Sequence, residues 1–129
     1  MAISNNVLIC VTRQKACERL IRVGNEIALK KRGRPYVIHV ARVGENFLGN
    51  PREGEALDYL FNISKQVGAE MIVQRSNKIV DILVDFVGRY DIGVMILGES
   101  PENKNKNSII RQLQSKLPGI ELIVVPQNG

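Results

Sequence analysis

The sequence predicts an α/β fold, an open parallel five-stranded sheet with helices on both faces. The first observation is that short apolar runs alternate with longer segments in which apolar residues recur every three or four positions. The second is that the runs are almost wholly apolar, which is typical of strands buried on both faces of a parallel sheet. Strands that alternate with helices build such a sheet, because each helix returns the chain to the edge where the next strand begins.

The first half of the chain predicts two strands and two helices. Residues 7–11 form the first apolar run, and a helical pattern follows over residues 17–28. Gly33 and Pro35 end this helix, since glycine and proline are common just beyond helix ends. A second strand is predicted at residues 36–41. A glycine-rich loop at 44–54 and a helix at 57–64, closed by Gly68, complete this half.

The second half repeats the alternation. Residues 71–73 form a short apolar run, and the helical spacing is cleanest over residues 79–90. Another apolar run fills residues 94–97, and a helix is predicted at 109–117. The chain then breaks at Pro118 and Gly119, and a last strand begins at Ile120 and ends at Val125.

Length and composition predict one domain. The chain has 129 residues, of which 44% are hydrophobic, enough for one compact core and too few for two. We therefore expect residues 1–129 to form a single domain. No apolar stretch approaches the roughly 20 residues of a membrane helix, and the first residues lack a secretory pattern, so we expect a cytoplasmic location and no membrane partner. Cys10 and Cys17 lack the spacing of a zinc site and are expected to be reduced packing residues.

The chain carries a formal charge of +5 and a pI near 9.5, which raises the question of nucleic acid. The densest basic run, residues 30–34, lies where the first helix ends, and cations are favoured there by the helix dipole. No aromatic residue interrupts this run to provide a stacking platform. A nucleic-acid partner is therefore not expected.

The sequence also lacks the motifs of several enzymes built on this architecture. The turn after the first strand reads Thr12-Arg13-Gln14-Lys15 and has neither the glycines of a dinucleotide site nor those of a phosphate-binding loop. The only histidine, His39, lies within a strand among apolar residues, so a hydrogen-bonded core or sheet-edge histidine is favoured over a catalytic base. We expect no catalytic residue, no metal site and no enzyme.

The loop after the fourth strand is a candidate anion site. The apolar run ends at Gly98, a polar loop follows, and Ser108 stands before the fourth helix. Ligands bind beyond the carboxyl ends of strands in open α/β sheets, and a helix N-terminus favours negative charge. The alternative is that Ser108 only caps its helix and that residues 103–107 form a solvated loop.

Three segments resemble one known family. Residues 7–12, Val-Leu-Ile-Cys-Val-Thr, residues 17–24, Cys-Glu-Arg-Leu-Ile-Arg-Val-Gly, and residues 36–40, Tyr-Val-Ile-His-Val, resemble the universal stress protein family. The sequence is most similar to the universal-stress-like domain of Kdp-type potassium-sensing histidine kinases. The resemblance covers nearly the whole chain and implies the same α/β fold.

The resemblance implies an adenine nucleotide or a cyclic dinucleotide as ligand: ATP, AMP or cyclic di-AMP, bound weakly. Family members that bind ATP carry two glycines three residues apart in the loop after the fourth strand, then Gly-Ser or Gly-Thr. This chain keeps Gly98, has Pro101 for the second glycine, and reaches Asn107-Ser108 after a shorter loop. It also has Thr12 where the ATP binders tend to have aspartate. The strand ends select the candidate nucleotide-binding residues, which are Thr12, Arg13, Gln14, Val40, Gly98, Ser100, Asn107 and Ser108.

The resemblance also implies a homodimer that pairs through the last strand, Ile120 to Val125, whose apolar residues would otherwise form a bare edge. A monomer with this strand covered is the alternative. The function expected is that of a non-catalytic stress or signalling domain, and the rival hypothesis is a nucleotide-free, dimeric protein-interaction module. A nucleotide hydrolase is disfavoured because no positioned base can be named.

Overall fold

A computed structural model describes residues 5–99 and 108–126. The chain forms five strands, four α-helices and one short 3-10 helix at Phe47–Gly49. The strands are β1 (Asn6–Cys10), β2 (Pro35–Ala41), β3 (Glu70–Arg75), β4 (Ile92–Gly98) and β5 (Glu121–Val125). The helices are α1 (Gln14–Lys31), α2 (Glu53–Gln66), α3 (Ile79–Arg89) and α4 (Ile109–Lys116).

The strands form one sheet in the order β3-β2-β1-β4-β5, and every neighbouring pair is parallel. The chain moves from β1 outward through β2 to β3, and then returns to the other side of β1 for β4 and β5. The strand order therefore reverses between β1 and β4, and a crevice opens beyond their carboxyl ends at such a point. The predicted fold class is confirmed.

Two hydrophobic clusters fill the space on the two faces of the sheet, because α1 and α2 pack on one face and α3 and α4 on the other. Alternate residues of β1 supply them: Val7 and Ile9 join the α1–α2 cluster, and Leu8 and Cys10 join the α3–α4 cluster. Burial on both faces explains why β1 has no polar position after Asn6.

The α1 helix lies very close to the sheet at Gly24. A Cβ atom on Gly24 would lie 2.3 Å from Cγ1 of Ile9, so only glycine fits between this helix and β1. Gly33 is similarly restricted, because a Cβ there would lie 1.7 Å from the carbonyl oxygen of Asn5. The contact at Gly24 brings α1 close to the middle of the sheet, and the one at Gly33 lies where the chain passes the start of β1.

The loop predicted at residues 44–54 contains a 3-10 helix that the sequence analysis does not anticipate. Within it Leu48 has φ 55° and ψ 21°, a left-handed conformation that is unusual for a leucine. Its side chain is buried in the α1–α2 cluster, which offsets the conformational cost. The third strand is also longer than predicted, because β3 pairs with β2 along six residues.

Cys10 and Cys17 are both free and buried. Burial raises the pKa of each thiol to about 12, so both stay protonated at neutral pH. Within residues 5–99 and 108–126, no helix has the length and hydrophobicity required to span a bilayer.

Candidate functional site

The end of β1 presents Thr12 and Arg13 at the carboxyl edge of the sheet. Both residues are exposed. Arg13 has an extended backbone and caps α1, where its carbonyl oxygen accepts from the Ala16 amide at 3.2 Å and from the Cys17 Sγ at 3.2 Å. The ion pairs among the described residues do not include its guanidinium. The backbone of Arg13 is therefore fixed while its charged group faces solvent.

Gln14 and Val40 are the candidate site residues on the β2 side of Thr12 and Arg13. Gln14 begins α1, and its Oε1 accepts from Asn50 Nδ2 at 2.9 Å, so the amide is already used to hold the loop after β2. Val40 is half-buried on the α3–α4 face of the sheet and precedes Ala41, where β2 ends, as the predicted strand does.

Gly98 lies at the end of β4, on the opposite side of the crevice. Ile9 of β1 and Ile96 of β4 are the last residues that pair between these adjacent strands. Thr12 lies three residues beyond Ile9, and Gly98 lies two residues beyond Ile96. A Cβ atom on Gly98 would approach only Leu20, at an ordinary contact distance of 3.5 Å. Packing among the described residues therefore does not require glycine at this position.

Ser108 caps α4, as predicted. Its side chain is 4% exposed, and its Oγ accepts from the Arg111 amide at 3.2 Å. This helix start belongs to the carboxyl edge of the sheet because helices run antiparallel to the strands in a parallel α/β fold. Ser100 and Asn107, the other two candidates in this loop, lie outside the described residues.

No family model matches the chain. A KdpD-like sensor protein of Synechocystis is 27% identical over 128 residues, which are 96% of this chain and 34% of the relative. The chain thus spans about a third of the length of the curated relative that it matches.

Solved structures show a much clearer likeness. The universal stress protein UspA of Lactobacillus plantarum superposes with a TM-score of 0.71 at 14% identity, over 97% of this chain and 99% of that protein. A universal stress protein of Archaeoglobus fulgidus, in complex with dAMP, superposes with a TM-score of 0.63 at 21% identity, over 95% of this chain and 98% of that protein. The chain has the universal stress protein fold. The resemblance to universal stress proteins and to Kdp-type sensors is thereby confirmed.

Within this universal stress protein fold, His39 joins two parts of the crevice wall. The side chain is 3% exposed, its Nδ1 lies 2.8 Å from the carbonyl oxygen of Val11, and its Nε2 lies 2.9 Å from the Leu48 amide nitrogen. A carbonyl only accepts and an amide N–H only donates, so the ring is neutral with its proton on Nδ1. Burial lowers the pKa of His39, although the bond to Val11 partly opposes this. The predicted hydrogen-bonded core histidine is confirmed.

A second set of contacts holds the 3-10 helix beside His39. Phe47 donates its amide to Oε2 of Glu53 at 2.9 Å, and Arg75 pairs with the same carboxylate while its guanidinium carbon lies 4.1 Å from the centre of the Phe47 ring. The hydrogen bond from Phe47, and then Arg75, lowers the pKa of Glu53. Sequence reasoning missed this cluster because its members come from three separate elements.

Two surface cavities lie elsewhere in the universal stress protein fold. One of about 310 Å³ opens between α3 and α4, and one of about 460 Å³ opens between β3 and α3. The predicted site residues line neither cavity. In the part of the chain that the structure describes, no three histidine, cysteine or acidic side chains converge on a possible metal position.

Proposed function

We propose that the chain is a single, non-catalytic regulatory domain of the universal stress protein type that binds an adenine nucleotide between the ends of β1 and β4. The observation that carries this proposal is the exposed Arg13, which follows the end of β1 at the point where the strand order reverses, while Gly98 ends the adjacent strand β4. A protein of the same fold binds dAMP.

Arg13 is suited to hold the phosphate. A guanidinium donates two parallel hydrogen bonds to a phosphate, and such a contact is stronger than one between neutral groups. The first turn of α1 fixes the Arg13 backbone just beyond the end of β1, and in this proposal its side chain reaches into the crevice. Thr12 is exposed beside it and offers a hydroxyl to the base or the sugar.

Gly98 and Ser108 supply the opposite wall. Because packing among the described residues leaves space for a methyl group at Gly98, we take the glycine there to indicate close approach of a ligand to the backbone. The N-terminus of α4 starts after Ser108, and its dipole favours the negative charge of a phosphate. AMP, ATP and cyclic di-AMP all present an adenine and a phosphate to this arrangement.

The residues of this site are better suited to a regulatory role than to catalysis. The only histidine of the chain is His39, and backbone groups occupy both of its ring nitrogens, so it is not available as a general base. The two buried thiols stay protonated and make poor nucleophiles. A reduced pair of free cysteines also fits the cytoplasm, where we propose that the domain acts in stress or signalling.

Calorimetric titration with AMP, ATP and cyclic di-AMP tests the ligand. We expect saturable heat with at least one of the three, and a loss of about tenfold or more in affinity in an Arg13→Ala variant, since one charge-assisted contact has roughly that effect. Arg34→Ala is the matched control, because Arg34 is also exposed but lies just before β2 at the opposite edge of the sheet. No heat with any of the three ligands would overturn nucleotide binding and favour the interaction module.

We also propose a homodimer through the last strand. Among the described strands β5 pairs only with β4, so its outer edge offers unpaired backbone groups. Its sequence is Glu-Leu-Ile-Val-Val, and Val124 is 38% exposed. A long apolar edge of this kind invites pairing with a second copy.

Sedimentation velocity tests the dimer. Val124→Lys places a charge on the edge and should convert a dimer into a monomer, because charged residues on edge strands oppose pairing. Phe61→Lys, at a residue of α2 that is 52% exposed, is the matched control and should leave the dimer intact. A wild-type monomer at all concentrations, or a dimer lost only in the control, would contradict pairing through β5.

A further inference from the structure

The segment between β2 and α2, residues 42–52, is held at the edge of the crevice by a few polar contacts. Leu48 donates its amide to His39, Asn50 donates to Gln14, and Val43 donates its amide to Oδ1 of Asn77 at 3.1 Å. Gln14 is one of the candidate site residues. This segment, here called the β2–α2 segment, thus lies directly against the candidate nucleotide site.

The contact at Leu48 carries strain that the His39 bond helps to maintain. Leu48 has a left-handed backbone, with φ 55°, and side chains with a Cβ atom rarely adopt it. The conformation aims its amide at Nε2 of His39, 2.9 Å away. Without an acceptor at this position, the buried amide would lose its partner and the turn would lose one of the contacts that keep it strained.

Only one protonation state of His39 supports this arrangement. In the neutral ring, Nδ1 donates to Val11 and Nε2 accepts from Leu48. When the ring is protonated, both nitrogens carry hydrogens. Nε2 would then point a hydrogen at the N–H of Leu48, and two donors would face each other in a buried position.

Some of the groups around His39 lower its pKa and others raise it. Arg75 on β3 disfavours the imidazolium, while Glu45 of the β2–α2 segment and the Val11 carbonyl favour it. Glu53 of α2 is already bound to Phe47 and Arg75, and Cys17 of α1 stays neutral because burial raises its pKa to about 12. No carboxylate forms a direct hydrogen bond to the ring among the described residues.

We propose that His39 is a proton-operated latch: the neutral imidazole holds the β2–α2 segment against the crevice, and protonation releases it and weakens nucleotide binding. The release of the segment follows from the contacts of Val11, His39 and Leu48 alone. Its effect on affinity rests on the proposed nucleotide site, because the released segment also carries Asn50, the partner of Gln14.

Because His39 is the only histidine, nitrogen-15 NMR of the tag-free protein reports this ring without ambiguity. We expect the Nδ1–H tautomer at about pH 7.5, and a titration below the ordinary value of 6.5. Protection of the Leu48 amide from exchange, corrected for intrinsic rates, should fall at least about tenfold by pH 5.5, the usual effect of one lost buried hydrogen bond. The amide of Ile96, in the middle of the sheet, is the control. An Nε2–H tautomer, or Leu48 protection that does not change with pH, would overturn the latch.

The variant His39→Gln distinguishes the effect of protonating the side chain from the effect of its hydrogen bonds. A glutamine side chain can donate and accept but does not ionise near neutral pH. The variant should therefore keep measurable Leu48 protection that no longer depends on pH. If this variant does not fold, the wild-type ring and amide measurements decide the latch by themselves.

A titration of AMP at about pH 7.5 and about pH 5.5 tests the effect on binding. We expect the affinity to fall about threefold at the lower pH in the wild type, because a ring that titrates below 6.5 is only partly protonated there, and to stay nearly constant in His39→Gln. Equal affinity at both pH values, together with loss of Leu48 protection, would overturn the link to the ligand. Absence of AMP binding at both pH values would overturn this link for AMP, and absence of binding for ATP and cyclic di-AMP as well would overturn the proposed function. The NMR measurements would still decide the latch.

Discussion

The α1 helix meets the sheet differently in its middle and near its N-terminus. In the middle, Gly24 lies so close to Ile9 that a single methyl group would overlap the strand. Near the N-terminus, Leu20 lies beneath Gly98, and a methyl group there would make an ordinary contact. Both positions are glycine, but only Gly24 is required by the packing of the described residues.

This difference separates a glycine that the packing of the described residues requires from one that it does not require. Gly24 brings α1 onto the buried centre of the sheet, where every neighbour is apolar. Gly98 stands at the carboxyl edge, where the strand order reverses and where Arg13 faces solvent. A glycine that the packing of the described residues does not explain, at a place where α/β folds bind ligands, supports a functional interpretation.

The largest effect is expected for Gly24→Ala. The added methyl group must displace Ile9 in the buried core, and overpacking of this kind costs about 1–3 kcal/mol. Urea unfolding should show this loss in the midpoint. Gly88→Ala is the matched control, because Gly88 is in α3 with open space around its Cβ position, and alanine there should stabilise by about 0.5–1 kcal/mol. If both variants unfold at the same urea concentration, the packing around Gly24 is no more restrictive than the open space around Gly88.

A smaller loss is expected for Ser108→Ala, at the open end of the crevice. The substitution removes the oxygen that accepts from the Arg111 amide, and loss of an N-cap costs about 1 kcal/mol. Urea unfolding measures this change as well. Ser115→Ala, at an exposed position of the same helix, is the control and should be nearly neutral. A neutral Ser108→Ala variant would mean that the cap contributes nothing to stability.

The fold could be predicted from the sequence because its signals are local. Each strand of the sheet centre is a continuous apolar run, and each helix shows its own spacing and its own stop residues, such as Gly33 and Pro35. Parallel order then follows from the alternation of strands and helices. The Ser108 cap was predictable for the same reason, since a cap and its helix are adjacent in sequence.

The wall formed around His39 could not be predicted in this way. Its contacts join Val11, His39 and Leu48, which are far apart in sequence and depend on the path of a loop. The loop itself contains a leucine in a left-handed conformation, and sequence patterns favour glycine or asparagine there. Tertiary burial of Leu48 overrides that local preference.

At a third kind of position the backbone favours glycine but the chain has another residue. Arg32 ends α1 with φ 57°, a left-handed conformation in which glycine is preferred. Arg32→Gly should therefore raise the free energy of unfolding by about 0.5 kcal/mol, after allowance for the lost favourable charge at the helix end. Arg34→Gly, at an exposed residue whose backbone φ is not positive, is the control and should not stabilise. Destabilisation of the Arg32 variant would show that its charge outweighs the backbone strain.

The smallest effect on stability and the most informative effect on function are expected for Gly98→Ala. Since Leu20 is the one neighbour among the described residues that the new methyl group would touch, and at an ordinary distance, the free energy of unfolding should change by no more than about 0.5 kcal/mol. A ligand that approaches the backbone of Gly98 would meet the same methyl group, so affinity for AMP should fall about tenfold or more in a calorimetric titration. A loss of stability as large as that of Gly24→Ala would make Gly98 a packing glycine. If both stability and affinity are unchanged, the phosphate does not bind next to the end of β4, and Arg13 is the remaining phosphate contact to test. If Gly98 is needed for ligand binding, the Gly98→Ala variant should be as stable as the wild type and should bind AMP more weakly. That result would distinguish Gly98 from Gly24, which is needed for packing.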